Sequence, residues 1–246
     1  MAHERHLSKA PIREAVLDLR VPAPADFDVS QLGDILTGMD DFENVHEMKE
    51  GSVTFQFSAE GPAEGQVEGG QAIGFRGATS DGLWVVQYRV NGMTFSRLQP
   101  YSDWAEFSER GRHFVDSFIE LIAPEYVERL ALRYVNHFLL PYPADLQQYF
   151  VGLPTIPEAL PQFVSNLLSR VTLYDPERDF SAHVTHVLLD DLDTEKTGFI
   201  LDVDAFRTTE FSPDPAVFWE TFEQLQVFKN QIFFDLITEQ NAELHE

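Results

Sequence analysis

The order of the predicted elements is the feature that most constrains the fold of this chain. A strand, a helix, several antiparallel strands and a second helix follow one another up to Pro124, and a strand around Arg133 then begins the same order again. Elements in this order pack as helices on one face of an antiparallel sheet. The sequence therefore predicts an internal duplication: two α+β halves, residues 1–124 and 125–246, in one compact pseudo-symmetric domain.

Alternation of apolar and polar residues predicts the strands of the first half. In residues 12–21 the apolar side chains fall on one face of a strand and the charged ones on the other. Asp28 is placed to begin a short helix that ends near Gly38. The pair Asn91-Gly92 is typical of a tight hairpin turn. Further strands are predicted at residues 45–48, 52–58, 72–79, 83–90 and 93–98.

Two long amphipathic helices are predicted to close the two halves. Asp103 is suited to cap the first helix, with Glu106 three positions later as in a capping box, and Pro124 ends it. Asp214 and Pro215 begin the second helix, whose wide apolar stripe is predicted to continue to the end of the chain. The stripe predicts packing on the sheet, and its width leaves a homodimer through this C-terminal helix as the alternative.

The second half repeats the pattern of the first. Residues 127–140 are predicted as a strand, and the proline-containing segment 157–168 has helical potential. Further strands are predicted at residues 170–174, 182–189 and 198–208. Two such units predict a saddle-like sheet of the kind found in the TATA-binding protein, with the helices on one face. This analogy concerns the fold and carries no function.

The charge of the chain limits the partners that it can bind. Its net charge is −24, from 17 Lys and Arg residues against 41 Asp and Glu residues. Binding of a nucleic-acid backbone over a broad face needs clustered cations, so this composition argues against it. Three explanations of the acidity stay open: solubility, adaptation to a salty cytoplasm, and attraction to a basic partner protein.

Cysteine is absent from the sequence, which excludes disulfides, thiolate metal sites and cysteine nucleophiles. The first residues lack the apolar run of a signal peptide, and no stretch has the length of a membrane span. We therefore expect a cytoplasmic protein without membrane association. We expect neither a cofactor nor a metal ion.

Three partial motifs for metal binding or catalysis have simpler explanations. Residues 190–195 resemble a calcium-binding loop but lack the glycine that such a loop needs, which favours a solvated turn. His183 and His186 are predicted to point to opposite faces of a strand and so make a poor metal pair. Asp202 and Asp204 are predicted to share one face, as paired catalytic carboxylates require, and we interpret them as the polar face of a half-exposed strand.

Two motifs give the chain a resemblance to a known family. The first, FSRLxPYxxW, covers residues 95–104, and the second, RYVN, covers residues 133–136. With the opening segment 11–16 and the closing segment 237–239, they make the chain similar to an uncharacterised, sporadically distributed prokaryotic family of about this length. The resemblance extends over nearly the whole chain. The sporadic distribution implies mobile or defence-associated gene neighbourhoods and assigns no activity.

Five residues of these motifs are candidates to contact a ligand or a partner. Arginine and asparagine beside aromatic rings can bind a carboxylate, a phosphate or a base edge through fork geometry and stacking. The candidates are Arg97, Tyr101, Trp104, Arg133 and Asn136. A structural alternative also fits: Tyr101 and Trp104 hold the start of the helix, while Arg133 pairs with a carboxylate such as Glu14 or Asp18 across the sheet.

The sequence shows none of the common catalytic signatures, because phosphate-binding glycine loops, a nucleophile elbow and a metalloprotease helix are all missing. The first hypothesis is therefore a non-enzymatic acidic protein that binds a basic partner protein, as an antitoxin, an immunity protein or an accessory defence component does. The second is a small-ligand or nucleotide-binding module, with or without an enzymatic activity, whose cleft lies between the two halves.

Overall fold

An antiparallel sheet forms the centre of the computed structural model, which describes residues 1–39, 42, 44–50, 70–141, 144–189 and 196–246. Its strands are β1 (Ile12–Arg20), β2 (Asn44–Lys49), β3 (Ala72–Ala78), β4 (Trp84–Arg89), β5 (Gly92–Leu98), β6 (Val127–Pro141), β7 (Leu167–Asp175), β8 (Phe180–Leu188) and β9 (Lys196–Phe211). Their order in the sheet is β2-β3-β4-β5-β1-β6-β9-β8-β7. The sheet is continuous because β1 and β6 pair side by side, with Leu17 opposite Leu132.

The α+β class with a large antiparallel sheet is confirmed, and the predicted strands agree with the described ones to within a few residues. The turn between β4 and β5 lies at Asn91-Gly92, as predicted. Gly92 has a φ of 149°, and a Cβ atom there would approach the Leu19 carbonyl oxygen to 2.3 Å, so this position requires glycine. The saddle shape and the internal duplication stay predictions.

The described helices are α1 (Ser30–Thr37), α2 (Trp104–Ile122), α3 (Pro215–Leu236) and α4 (Glu239–Glu243). The predicted cap of α2 is confirmed, because the Asp103 carboxylate accepts a hydrogen bond of 2.9 Å from the Glu106 amide. The prediction that the C-terminal helix continues to the end of the chain is wrong. α3 ends at Leu236, since Ile237 is extended and pairs with Phe150 before α4 begins.

The helices pack on one face of the sheet, which we call the helix face. On β5 the ring of Phe95 contacts Phe107 and Phe114 of α2, with centroids 5.2 and 5.0 Å apart. Farther along the sheet, Phe180 of β8 contacts Phe228 of α3 at 5.7 Å. Most of the apolar stripe of α3 is thus buried within the chain, and a homodimer through this helix stays a prediction.

The prediction of a helix in residues 157–168 is wrong. The described chain has no helix between residues 149 and 167, and β7 already begins at Leu167. Pro161 explains the difference, because proline lacks the amide donor that a helix interior needs and disfavours helical geometry at the residue before it. A short 3₁₀ turn, Leu146–Gln148, stands between β6 and this segment.

Some predictions fall outside the part of the chain that the structure describes. These are the strand at residues 52–58 and the turn at residues 190–195. Within the described residues, no helix is both long and apolar enough to cross a membrane. In the same residues, no group of three or more potential metal ligands comes together.

Candidate functional site

A cavity of about 400 Å³ lies on the helix face, at the middle of the sheet. Its wall combines the N-terminal segment before β1, the start of α2, one side of α3, and the strands β1, β6 and β9. We call it the central cavity. Three of the predicted candidates line it: Tyr101, Trp104 and Asn136. The structure adds Tyr134 and Lys229, which the sequence interpretation did not select.

Lys229 places an amine in the wall of the central cavity. It follows Phe228 in the apolar stripe of α3, and only 4% of its surface is exposed. Its Nζ atom lies 3.5 Å from the ring centroid of Tyr134 and donates a hydrogen bond of 2.7 Å to Asn230 Oδ1. Burial lowers the pKa of Lys229 from 10.5 to about 7, while the Glu4 carboxylate acts in the opposite direction. A large share of the amine is therefore unprotonated at neutral pH.

Two tyrosine hydroxyls meet beside this amine. Tyr101 Oη and Tyr134 Oη are 2.7 Å apart, and the two rings lie edge to face with centroids at 5.3 Å. Burial raises the pKa of both phenols, so both stay protonated through the physiological range. Each hydroxyl carries one proton, and their mutual bond uses one of the two. The other proton is free to donate to an oxygen atom in the cavity.

Trp104 and Asn136 position the surrounding elements. The indole N–H of Trp104 donates 2.8 Å to a Glu223 carboxylate oxygen, which joins the first turn of α2 to α3. Asn136 is 2% exposed, and its amide nitrogen donates to the carbonyl oxygens of Tyr134 and Leu201 at 3.2 and 3.0 Å. Both candidates thus have structural bonds at the cavity wall. These bonds fix the shape of the cavity wall.

The N-terminal segment forms the outer wall of the central cavity. The Ala2 amide donates to the carbonyl oxygens of Phe234 and Ile237, at 3.0 and 2.9 Å, which ties the segment to the end of α3. The Arg5 guanidinium pairs with the Glu239 carboxylate at 2.6 Å. The closing motif at residues 237–239 therefore holds the opening residues of the chain over the cavity.

Arg97 does not line the central cavity. It lies on the helix face opposite Trp84 of the neighbouring strand, and its guanidinium carbon is 4.6 Å from the centroid of that ring. Arg110 of α2 lies at the same distance from the ring. The β4–β5 register explains this stack, because a residue directly across from an aromatic side chain can pack on its ring.

Arg133 lies on the opposite face of the sheet and makes a structural ion pair. Its guanidinium binds both carboxylate oxygens of Asp202 on β9, at 2.9 and 2.7 Å. The prediction that Glu14 or Asp18 supplies this carboxylate is wrong. Asp18 instead binds Arg129 at 2.7 Å. Cross-strand register determines these pairs, because β6 lies between β1 and β9 and its arginines reach carboxylates on both strands.

The remaining motifs have structural explanations. As predicted, His183 and His186 lie on opposite faces of β8: His183 contacts the Thr172 hydroxyl at 2.9 Å, whereas His186 is 3% exposed on the helix face. Asp202 and Asp204 share the face away from the helices. Burial raises the pKa of Asp204, and the paired Arg129 guanidinium acts against that shift.

Comparison with known proteins gives no match: no family model, no curated protein and no solved structure is similar to the chain. The function must therefore be argued from the chemistry of the central cavity. Its distinguishing groups are a buried amine, a pair of phenolic hydroxyls and an aromatic wall.

Proposed function

We propose that the protein binds a small organic molecule in the central cavity. The observation that carries the proposal is Lys229, whose amine faces a cavity of about 400 Å³ with a pKa lowered to about 7. A buried ionisable group reduces the stability of a fold unless it is paired, and such groups are concentrated at functional sites. Binding of a ligand is the role that best accounts for this arrangement.

The lining of the cavity indicates the chemistry of the ligand. Aromatic side chains of Trp104, Phe233 and Phe234 suit an apolar or aromatic body. The amine of Lys229 and the hydroxyls of Tyr101 and Tyr134 lie close to the sheet, where they can hydrogen-bond to an oxygen atom of the ligand. Glu4 and Asp103 also line the cavity, and these carboxylates disfavour a strongly anionic ligand.

The strand order supports the prediction that the two halves of the chain meet at this site. β1 opens the first predicted half and β6 opens the second, and the two strands pair at the middle of the sheet. Ile12 of β1 and Asn136 of β6 both line the central cavity. A cleft between the halves, the second of the two functional hypotheses, corresponds to this position.

Fragments that fit the cavity are expected to stabilise the protein against heat. At a concentration of 100 Kd, binding adds about 2.7 kcal/mol, or roughly 5–10 °C in Tm for a chain of this size. We expect such shifts with acetophenone, benzamide or benzyl alcohol. Lys229→Met is expected to weaken binding about 10-fold, because it keeps the apolar stem and removes the amine. Differential scanning fluorimetry measures the shifts.

Arg133→Gln is the matched control for this experiment, since Arg133 lies on the other face of the sheet. The control is expected to keep the full ligand-dependent shift. Equal shifts in the wild-type and Lys229→Met proteins, or no shift with any of the three fragments, contradict the proposal.

An acidic surface favours a second candidate function, the binding of a basic partner protein. Helices α2 and α3 carry seven carboxylates against three cations. Lys229 is buried, and the Arg112 guanidinium stacks on Trp219 at 4.2 Å. The outer side of the helical layer is therefore strongly negative. A basic partner of an antitoxin, immunity or defence-accessory protein is expected to dock there.

Such a partner is expected to be retained at low ionic strength and released at high ionic strength, because the Debye length falls from about 10 Å at 0.1 M salt to about 3 Å at 1 M. A pull-down from the native host, with quantitative mass spectrometry, measures this. Charge reversal of three exposed α2 residues should abolish retention: Glu109→Lys, Asp116→Lys and Glu120→Lys. Equal retention by this variant refutes docking on α2. Charge reversal of Glu158 and Glu177, which are exposed and lie outside the helices, serves as the control.

A further inference from the structure

We infer that Lys229 is a nucleophile that condenses with an aldehyde or ketone in the central cavity to form an imine, a step that rests on the proposed binding of small molecules there. The substrate class is a neutral aromatic or apolar carbonyl compound. The evidence is the position of Nζ in the cavity wall and the pair of tyrosine hydroxyls near it.

The nearest described carboxylate, Glu4, is separated from Nζ by an amide. Asn230 accepts the hydrogen bond of Nζ and in turn donates 3.1 Å to Glu4 Oε1, so the amide stands between the amine and this carboxylate. Among the described residues, no carboxylate lies within ion-pair distance of Nζ. Burial without a counter-ion favours the neutral amine, which is the form that carries the nucleophilic lone pair.

The groups that face Lys229 come from each element around it. The N-terminal segment contributes Glu4, Arg5 and His6, the start of α2 contributes Asp103, and α3 contributes Asn230. Tyr101 and Tyr134 complete the set, and the amine lies over the Tyr134 ring. Glu4 and the face of the Tyr134 ring favour the protonated amine, whereas burial away from water opposes protonation and is the larger effect.

The proposed reaction is a condensation with loss of water. The Nζ lone pair attacks the carbonyl carbon, the new C–N bond forms, and the π electrons move to the oxygen. One amine proton passes to that oxygen, which gives a carbinolamine. The second amine proton and the hydroxyl group then leave as water, and the C=N bond forms. No oxidant or reductant takes part.

The tyrosine pair is placed to move these protons. Burial raises the pKa of the Tyr134 hydroxyl, which makes it a weaker acid and keeps it protonated at neutral pH, so it is present as a hydrogen-bond donor to the oxygen that gains negative charge in the attack. The bond of 2.7 Å between Tyr101 Oη and Tyr134 Oη allows the donated proton to be replaced from the neighbouring hydroxyl. Phe substitution of either tyrosine is expected to slow imine formation and also to weaken fragment binding, because the hydroxyl pair is proposed to contact the ligand's oxygen.

The sequence makes the reaction simple to assign, because the chain contains four lysines: Lys9, Lys49, Lys196 and Lys229. The first three are exposed. An ordinary exposed lysine has about one neutral amine in a thousand at pH 7.4, whereas an amine with a pKa near 7 is mostly neutral. At this pH we expect Lys229 to react on the order of 100-fold faster than the others, since lower basicity also reduces nucleophilicity.

The test is reductive trapping with benzaldehyde. The full-length protein is incubated with benzaldehyde and sodium cyanoborohydride at pH 7.4, and the adduct is mapped by peptide mass spectrometry. We expect an adduct at Lys229 that is absent from Lys229→Met and retained in Lys196→Met. Mapping separates it from the α-amine of Met1, which also reacts at this pH. Circular dichroism verifies that both variants are folded.

Labelling of Lys229 no faster than Lys196 overturns the inference. Benzamide, which has a similar shape and cannot form an imine, separates this failure from that of the proposed function. If benzamide raises Tm and benzaldehyde does not label Lys229, imine chemistry is overturned and small-molecule binding stands. If benzaldehyde does not label Lys229 and none of the three fragments raises Tm, both proposals are overturned.

Discussion

Between pH 7 and pH 9, the free energy of unfolding of the wild-type protein is expected to rise by about 2–3 kcal/mol relative to that of Lys229→Met. Burial lowers the pKa of Lys229 from 10.5 to about 7 in the folded chain. In this pH window the unfolded chain binds more protons than the folded chain, so stability increases with pH by about 1.4 kcal/mol per unit. Below pH 7 both states are protonated, and the difference levels off.

Urea unfolding at pH 6, 7, 8 and 9 measures this effect. Other titrating groups are shared by the two proteins, so the difference isolates Lys229. Lys196→Met, at an exposed position at the start of β9, is the control and is expected to show a difference that does not change with pH. If the difference in free energy of unfolding between the wild-type protein and Lys229→Met does not change with pH, the amine of Lys229 is not unprotonated in the folded chain.

Phe95→Ala is expected to lower the free energy of unfolding by about 3–5 kcal/mol, because it opens a cavity in the most densely aromatic part of the core. Phe95 is fully buried. Its ring contacts Trp84, Phe107 and Phe114, with centroids 5.3, 5.2 and 5.0 Å away. The residue joins β4, β5 and α2, so its loss weakens the packing of the first helix on the sheet.

Chemical denaturation monitored by tryptophan fluorescence measures the loss. Phe163→Ala is the matched control: this phenylalanine is 66% exposed, and its removal is expected to change stability by less than about 0.5 kcal/mol. A loss below about 1 kcal/mol for Phe95→Ala is incompatible with the described contacts between α2 and the sheet.

The sequence predicted those elements whose signals are local. Alternation between Ile12 and Arg20 depends on adjacent residues, and so do the Asn91-Gly92 turn and the Asp103 cap. Such patterns act within a few residues, and the structure follows them. The predicted helix at residues 157–168 shows the limit, because Pro161 within the segment prevents a helix from continuing through it.

The ion pairs could not be predicted in detail because they depend on long-range register. Arg133 was expected to pair across the sheet, and it does. Its partner, Asp202, is supplied by β9, which is 69 residues away along the chain. The sequence alone gives no means to choose between β1 and β9 as the source of the carboxylate.

The candidate site was predicted only in part. Tyr101, Trp104 and Asn136 were selected and line the central cavity, whereas Lys229 was passed over. The sequence did contain a signal for Lys229. It lies within the apolar stripe of α3, and lysine is seldom fully buried in proteins. The N-terminal wall had no such signal, because its position depends on contacts with the last residues of the chain.

Titration of the Lys229 amine distinguishes an unprotonated group of the central cavity from an ordinary, exposed lysine. With ¹³C-labelled lysine, the protein has four lysine side chains to observe by NMR. We predict that one Cε signal titrates near pH 7, is missing from Lys229→Met, and moves when benzamide is added. Titration of all four signals near the ordinary lysine pKa, about 10.4, contradicts the account.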